Sequence, residues 1–246
     1  MASSKPAEAK KVNLDFNKEF ISTFTQNIEK GNVEFINQTL KSLHEADVAN
    51  LIENLSPDTR TKLIEIESFN IDPEIFIELN ESIQSEVLQL LSIDSLTKII
   101  KRLESDNAIK ILENLSKDIK EKVLEKLPPK DKFLLQEGLS YPEDSAARIM
   151  QREFTAVPSN WTVGQTIDYL REEKDLPDEF LEIFIVNNDF KPIGTVPSSR
   201  VLRNARELTM NSIMTEMPVL ISVNMDKEEV GLTFENYNLV SAGVVN

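Results

Sequence analysis

The chain of 246 residues carries 42 acidic against 27 basic side chains, a net charge of −15, and contains no cysteine. That balance argues against binding the phosphate backbone of nucleic acid or an anionic membrane, and favours cationic partners, of which a divalent metal is the simplest. Without thiols, disulfides and thiolate metal sites are excluded.

The opening MASSKPAEAKK has no apolar core, so it is not a secretory signal. Residues 1–16 are expected to form a disordered extension. No stretch reaches the roughly 18 apolar residues that a membrane helix needs, and the chain as given is expected to be soluble.

From Asn17 to Gly138 the spacing predicts six or more short amphipathic helices. Leu51-Ile52, Leu55 and Leu63-Ile64 keep helical spacing across a break at Ser56-Pro57-Asp58. That break supplies an N-cap hydroxyl, a proline at the first helical position and an acid in the positive first turn. Asp72-Pro73-Glu74 has the same grammar. LIENLSPDTRTKLIE at 51–65 returns as ILENLSKDIKEKVLE at 111–125, sixty residues later. Internal similarity between such short helices points to a right-handed superhelix of stacked hairpins. Pro128-Pro129 ends the last repeat, and Lys130 to Leu139 reads as a linking helix. The single histidine, His44, is expected to pack between repeats.

Strand-like runs begin after Tyr141: Phe154 to Val157, Glu182 to Val186 and Pro192 to Val196. Between the first two, Thr162 with Gln165 forms a capping box, and Val163, Ile167 and Leu170 form a buried stripe. Asn187-Asn188-Asp189 signals a hairpin turn. This unit, strand-helix-strand-strand-helix, ends near Arg203. A second copy follows. IMQREFTAVPSNWTV at 149–163 is matched by IMTEMPVLISVNMDK at 213–227, and the capping residue, Thr162 or Asp226, lies twelve positions after the Met in both. The copy predicts a strand at Val219–Ser222, a helix capped by Asp226 with Glu229 closing a capping box, a buried stripe of Val230, Phe234 and Tyr237, and a strand at Val240–Val245. It breaks off at Asn246 before its partner strand and last helix, so the chain reads as a fragment with an open sheet edge. Trp161 is expected to shield the junction between domains. Glu172-Glu173 and the charge run Lys117–Lys126 read as solvated helix faces.

The paired units with their Ile-Met openings resemble tandem cystathionine-β-synthase (CBS) domains. Joined through YPEDSAARIM at 141–150 to an acidic superhelix with ENLSPD-type repeats, the whole resembles the cytosolic part of MgtE-type magnesium transporters. The resemblance spans about residues 17–246. It implies a multi-domain α and α+β fold: a helical superhelix over 17–138, a first CBS unit over 139–204 and an incomplete second unit over 205–246. It further implies a transmembrane pore domain in the full-length protein, a homodimer, and a place at the cytoplasmic face of the cell membrane.

The function implied is magnesium sensing, with Mg²⁺ drawing the superhelix and the CBS domains together and favouring a closed pore. Two carboxylates about 4 Å apart repel by roughly 4 kcal/mol at an effective dielectric near 20, and a divalent cation turns that repulsion into attraction. By the resemblance, Glu74 and Asp106 fall on acidic ligand positions of the superhelix, Asp226 and Glu228 on the acidic pair opening the second CBS helix, and Asn238 on a further ligand position at that helix's end, normally an acid. Lys110, one turn after Asp106, stands where the family often has Asp, and Ala147-Arg148 replaces a usual glycine pair. Each ligand also has a plainer reading: Asp226 as an N-cap, and Glu74, Asp106 and Glu228 as first-turn acids.

Catalysis finds no support, because one histidine, no cysteine and no phosphate-cradling glycine loop leave the carboxylates without acid–base partners. Two alternatives to the sensor are open. CBS pairs often bind adenosine phosphates between their units, and the superhelix also resembles the middle part of flagellar motor switch proteins, a protein–protein scaffold.

Overall fold

The computed structural model describes residues 16–66, 72–177 and 179–246. The expected disordered extension lies outside these residues except for Phe16. The chain divides into two compact units, Met1–Leu103 with Ile111–Leu127, and Glu104–Lys110 with Pro128–Asn246.

The first unit is helical: α1 (Lys18–Glu29), α2 (Val33–Lys41), α3 (Glu45–Glu53), α4 (Pro57–Glu65), α5 (Pro73–Glu78), α6 (Glu81–Leu90) and α7 (Ile93–Ile100). Next come α8 (Ser105–Glu113), within which the division between the units falls, and α9 (Lys117–Lys126). These helices are too short to persist alone, and side-chain caps define where each begins. Asn17, Asn32, His44, Ser56, Asp72, Asn80 and Ser92 each accept a backbone N–H of the following first turn. Such a cap contributes about 1 kcal/mol. His44 therefore does not pack between repeats. Its Nδ1 accepts the Ala46 N–H at 3.3 Å and its side chain is 75% exposed, because an imidazole replaces the usual hydroxyl at an N-cap.

The predicted repeat is visible in the core. Leu51, Ile52, Leu55 and Leu63 are buried, as are Ile111, Leu112, Leu115 and Val123 sixty positions on. Gln84 joins turns of this unit, donating to the Phe76 carbonyl at 2.6 Å and accepting from the Asn114 amide at 2.6 Å.

The second unit continues with α10 (Pro129–Ser140), α11 (Ala146–Ile149), β1 (Ala156–Pro158), α12 (Val163–Glu172), β2 (Glu182–Val186), β3 (Pro192–Pro197), α13 (Ser198–Arg203) and α14 (Met210–Ile213). β4 (Thr215–Glu216), β5 (Ile221–Ser222), α15 (Lys227–Tyr237) and β6 (Val244–Val245) complete it. One sheet has the order β1-β2-β3-β4, parallel only between β1 and β2, and a second pairs β5 with β6 in parallel. Val157, Val163, Ile183, Ile185, Val196, Val201 and Met210 form the core of this unit. Trp161 packs against that core and meets Tyr169 edge-on at 5.4 Å, so its place is inside the unit.

Several boundaries differ from expectation. β1 runs Ala156–Pro158 rather than from Phe154; the Thr155 carbonyl already accepts the Phe184 N–H of β2 at 2.9 Å, while further back the Arg152 N–H donates to Ser105 Oγ at 2.9 Å. β6 is confined to Val244–Val245 instead of Val240–Val245, since Leu239 N–H still closes the end of α15 on Phe234 O and Ser241 donates to Glu182. Thr162 forms the expected capping box with Gln165, whereas Asp226 Oδ1 accepts the Glu228 N–H at 2.8 Å and Glu229 closes no box. Tyr237 is 55% exposed and drops out of the predicted stripe, while Val230 and Phe234 are half-buried.

The duplication is closed by reciprocal cross-pairing. Thr162 bridges Thr209, and Ser145 bridges Asp226, sixty-four positions from each in the other copy. The segment before each unit thus pairs with the capping turn of the other. Val163 N–H donates to Leu208 O at 2.8 Å, and its counterpart Lys227 N–H donates to Asp144 O at 2.7 Å. At that second junction an ion pair, Lys227 Nζ to Asp144 Oδ1 at 2.5 Å, stands where the first has Val163 and Leu208.

Candidate functional site

The residues expected to hold a metal ion lie on three helices, α5, α8 and α15. Glu74 is exposed in the first turn of α5, following the cap Asp72, whose other oxygen meets Arg102 at 3.3 Å. Asp226 and Glu228 share the exposed first turn of α15. Asn238 ends the same helix in the left-handed region at φ 51°. Twelve residues of helix separate it from Asp226 by about 18 Å, so the two cannot ligate one ion. An asparagine tolerates that φ well, which gives Asn238 a structural reason of its own.

Asp106 differs from the rest. It sits in the first turn of α8, where Glu153 Oε2 accepts the Ser105 N–H at 3.2 Å and the Ser105 hydroxyl at 2.8 Å. Asp106 Oδ1 is buried and has no hydrogen-bond partner. A buried carboxylate oxygen without a donor loses its hydration uncompensated, and a cation or a water bound to a cation restores it. Lys110, one turn on, is exposed. Among the described residues no three His, Cys, Asp or Glu side chains converge on one point. Mg²⁺ fits such a donor set, since it keeps several waters and takes one or two carboxylates.

A cleft of about 830 Å³ lies within the second unit. One wall is the segment from Met150 to Thr155, another the β2–β3 hairpin, and the third runs from α15 through Val240 to Val245. Phe154, 59% exposed, meets Phe184 edge-on at 6.1 Å. The predicted turn at Asn187 forms, with Asn187 Oδ1 accepting the N–H groups of Asp189 and Lys191. It leaves Phe190 at φ 59° and 83% exposed at the cleft. Sequence reasoning missed these residues, because the walls come from segments far apart in the chain. The only local signal was the Asn-Asn-Asp turn, which places the next residue in the left-handed region.

Residues 43–144 match the family of the MgtE intracellular N domain. Magnesium transporter MgtE of Enterococcus faecalis (strain ATCC 700802 / V583) is 22% identical over 112 residues, 46% of this chain and 25% of that protein. Magnesium transporter MgtE of Bacillus subtilis (strain 168) is 22% identical over 107 residues, 44% of this chain and 24% of that protein. The match thus spans about a quarter of these relatives' length. The crystal structure of the cytosolic domain of the Mg²⁺ channel MgtE in complex with ATP superposes with a TM-score of 0.80 at 20% identity, covering 92% of both chains. The soluble part of a magnesium transporter gives 0.76 at 20% identity, covering 93% of this chain and 90% of that one. Over nearly its whole length the chain therefore has the fold of these two solved structures, the soluble part of a magnesium transporter and the cytosolic domain of the Mg²⁺ channel MgtE.

Proposed function

We propose that the chain is the Mg²⁺-sensing regulatory region of a magnesium transporter or channel, placed at the cytoplasmic face of the membrane. In this reading it acts on a transmembrane pore domain of the full-length protein, works there as a homodimer, and catalyses no reaction. The observation that carries the reading is Asp106, whose buried Oδ1 has no protein partner at a helix start already crowded by Glu153. Glu74, Asp226, Glu228 and Asn238 are further separate candidate donors, each on an exposed helix terminus that a hydrated ion can reach. A sensor of millimolar Mg²⁺ needs only about 4 kcal/mol per site, which a few hydrated contacts provide. Calorimetry of Mg²⁺ binding tests this: millimolar binding by the native chain that weakens in Asp106→Asn is the expected result, and equal affinity in both contradicts it.

A second reading, an adenine-nucleotide sensor, is favoured by the cleft in the second unit. Its size and exposed aromatic rings suit a purine, and the similar MgtE domain was solved with ATP.

A further inference from the structure

Resting on the Mg²⁺-sensing reading, we infer that Arg152 is a tethered cation that competes with Mg²⁺ for the Asp106 carboxylate, and so sets the concentration at which that site fills. Two buried polar atoms near the start of α8 have no hydrogen-bond partner, Asp106 Oδ1 and Arg152 Nε. One is an acceptor on an anion and the other a donor on a cation. Each would satisfy the other.

The two side chains lie along the same stretch of α8, and the residues that place them all belong to the second unit. The Arg152 N–H donates at 2.9 Å to the hydroxyl of Ser105, the residue before Asp106. The far end of the side chain lies about one turn further along the helix. A Cβ on Gly138 would touch Ile109 Cδ1 and lie 3.2 Å from both Nη1 and Nη2 of Arg152. Ile109 follows Asp106 at the spacing that makes two residues neighbours on a helix surface. The arginine therefore runs from Ser105 toward Ile109, past the turn that carries Asp106.

Arg152 is loosely held where it is. Nη1 is 3.5 Å from Met150 O and Nη2 is 3.3 Å from Ala147 O, both long for a hydrogen bond. A guanidinium–carboxylate bond is shorter, about 2.8 Å, and roughly twice as strong as one between neutral groups. The adjacent carboxylate, Glu153, is engaged by the Ser105 N–H and hydroxyl. Seated on the two carbonyls, Arg152 leaves Asp106 open to a cation; seated on Asp106, it closes the site. Mg²⁺ selects the first arrangement, and its apparent affinity is reduced by the population of the second.

The test is calorimetry of Mg²⁺ binding to the native chain, Arg152→Met and Arg152→Lys. Arg152→Met keeps an unbranched stem without the charge and should bind Mg²⁺ about fivefold more tightly, the weight of a partly exposed ion pair. Arg152→Lys keeps the charge and should stay near the native chain. In an Asp106→Asn background the gain from Arg152→Met should vanish. A further readout needs no variant: by NMR, the Arg152 Nε–H proton should shift and exchange faster with water as Mg²⁺ replaces EDTA. Unchanged or weaker binding by Arg152→Met, an equal gain in Arg152→Lys, a gain that persists beside Asp106→Asn, or an Nε–H proton indifferent to Mg²⁺ overturns the inference alone. No Mg²⁺ binding by either the native chain or Arg152→Met overturns it together with the reading on which it rests.

Discussion

Arg60 shows how a single side chain distinguishes two copies of one repeat. It is 5% exposed, pairs with Glu86 through Nε at 2.9 Å and Nη2 at 2.8 Å, and donates through Nη1 to the Leu55 carbonyl at 2.6 Å. The planar fork serves a carboxylate and the end of α3 at once, which the half-buried Lys120 at the matching position of the second copy is not built to do. Removing one partner of a buried pair strands the other, so Arg60→Ala should destabilise the fold by about 3 kcal/mol. Urea denaturation reads this directly, and a loss below about 1 kcal/mol would mean that water already solvates the pair. At Lys110, substitution by Asp places a second carboxylate one helical turn from Asp106. Mg²⁺ affinity measured by calorimetry should then rise by up to about fivefold, the weight of an exposed charge interaction of about 1 kcal/mol. An unchanged affinity would return Asp106 to an ordinary first-turn acid.

At the scale of elements, close approach and charge pairing decide what may be changed. A Cβ on Gly194 in β3 would lie 2.6 Å from the Thr215 carbonyl oxygen of β4. Backbone cannot move aside as a side-chain tip can, so Gly194→Ala should cost about 1–3 kcal/mol and lower the melting temperature. An unchanged melting temperature would show β4 free to shift. In the first unit Lys126 donates to Asp94 at 2.6 Å, tying α9 to α7. That hydrogen bond, and then the lysine's charge, holds the Asp94 carboxyl below its ordinary value. A depressed carboxyl stabilises the fold above the ordinary aspartate value and loses that effect as pH falls through the lowered one. Native chain and Asp94→Asn should therefore differ in stability at neutral pH and converge in strong acid. A constant difference across the range would assign the effect to something other than titration.

Much of the element order was legible because it rests on local chemistry. Ser56-Pro57-Asp58, the Thr162–Gln165 box and the Asn187 turn each act within a few residues, and all three formed as read. Two boundary misses came from partners remote in sequence. Ser105 accepts the Arg152 N–H ahead of β1, and Glu182 holds Ser241 ahead of β6. His44 was misread because its type suggests packing while its position is a cap. The cleft was invisible for the same reason, being assembled from three distant segments. The acidic positions were legible as residues, but no sequence pattern marks Asp106 as the one with an orphaned buried oxygen.

For the whole molecule the governing quantity is the net charge of −15. Carboxylates held near one another repel, and an ion that bridges them through its own waters converts the repulsion into attraction, so in the proposed reading the chain's dimensions are a function of Mg²⁺. Screening by simple salt does this weakly and without preference for the ion. Small-angle scattering in Mg²⁺ and in EDTA at matched ionic strength separates the two effects. The account predicts a radius of gyration that falls as Mg²⁺ rises through the millimolar range, with the fall reduced in Asp106→Asn; a radius unchanged between the two conditions would contradict it.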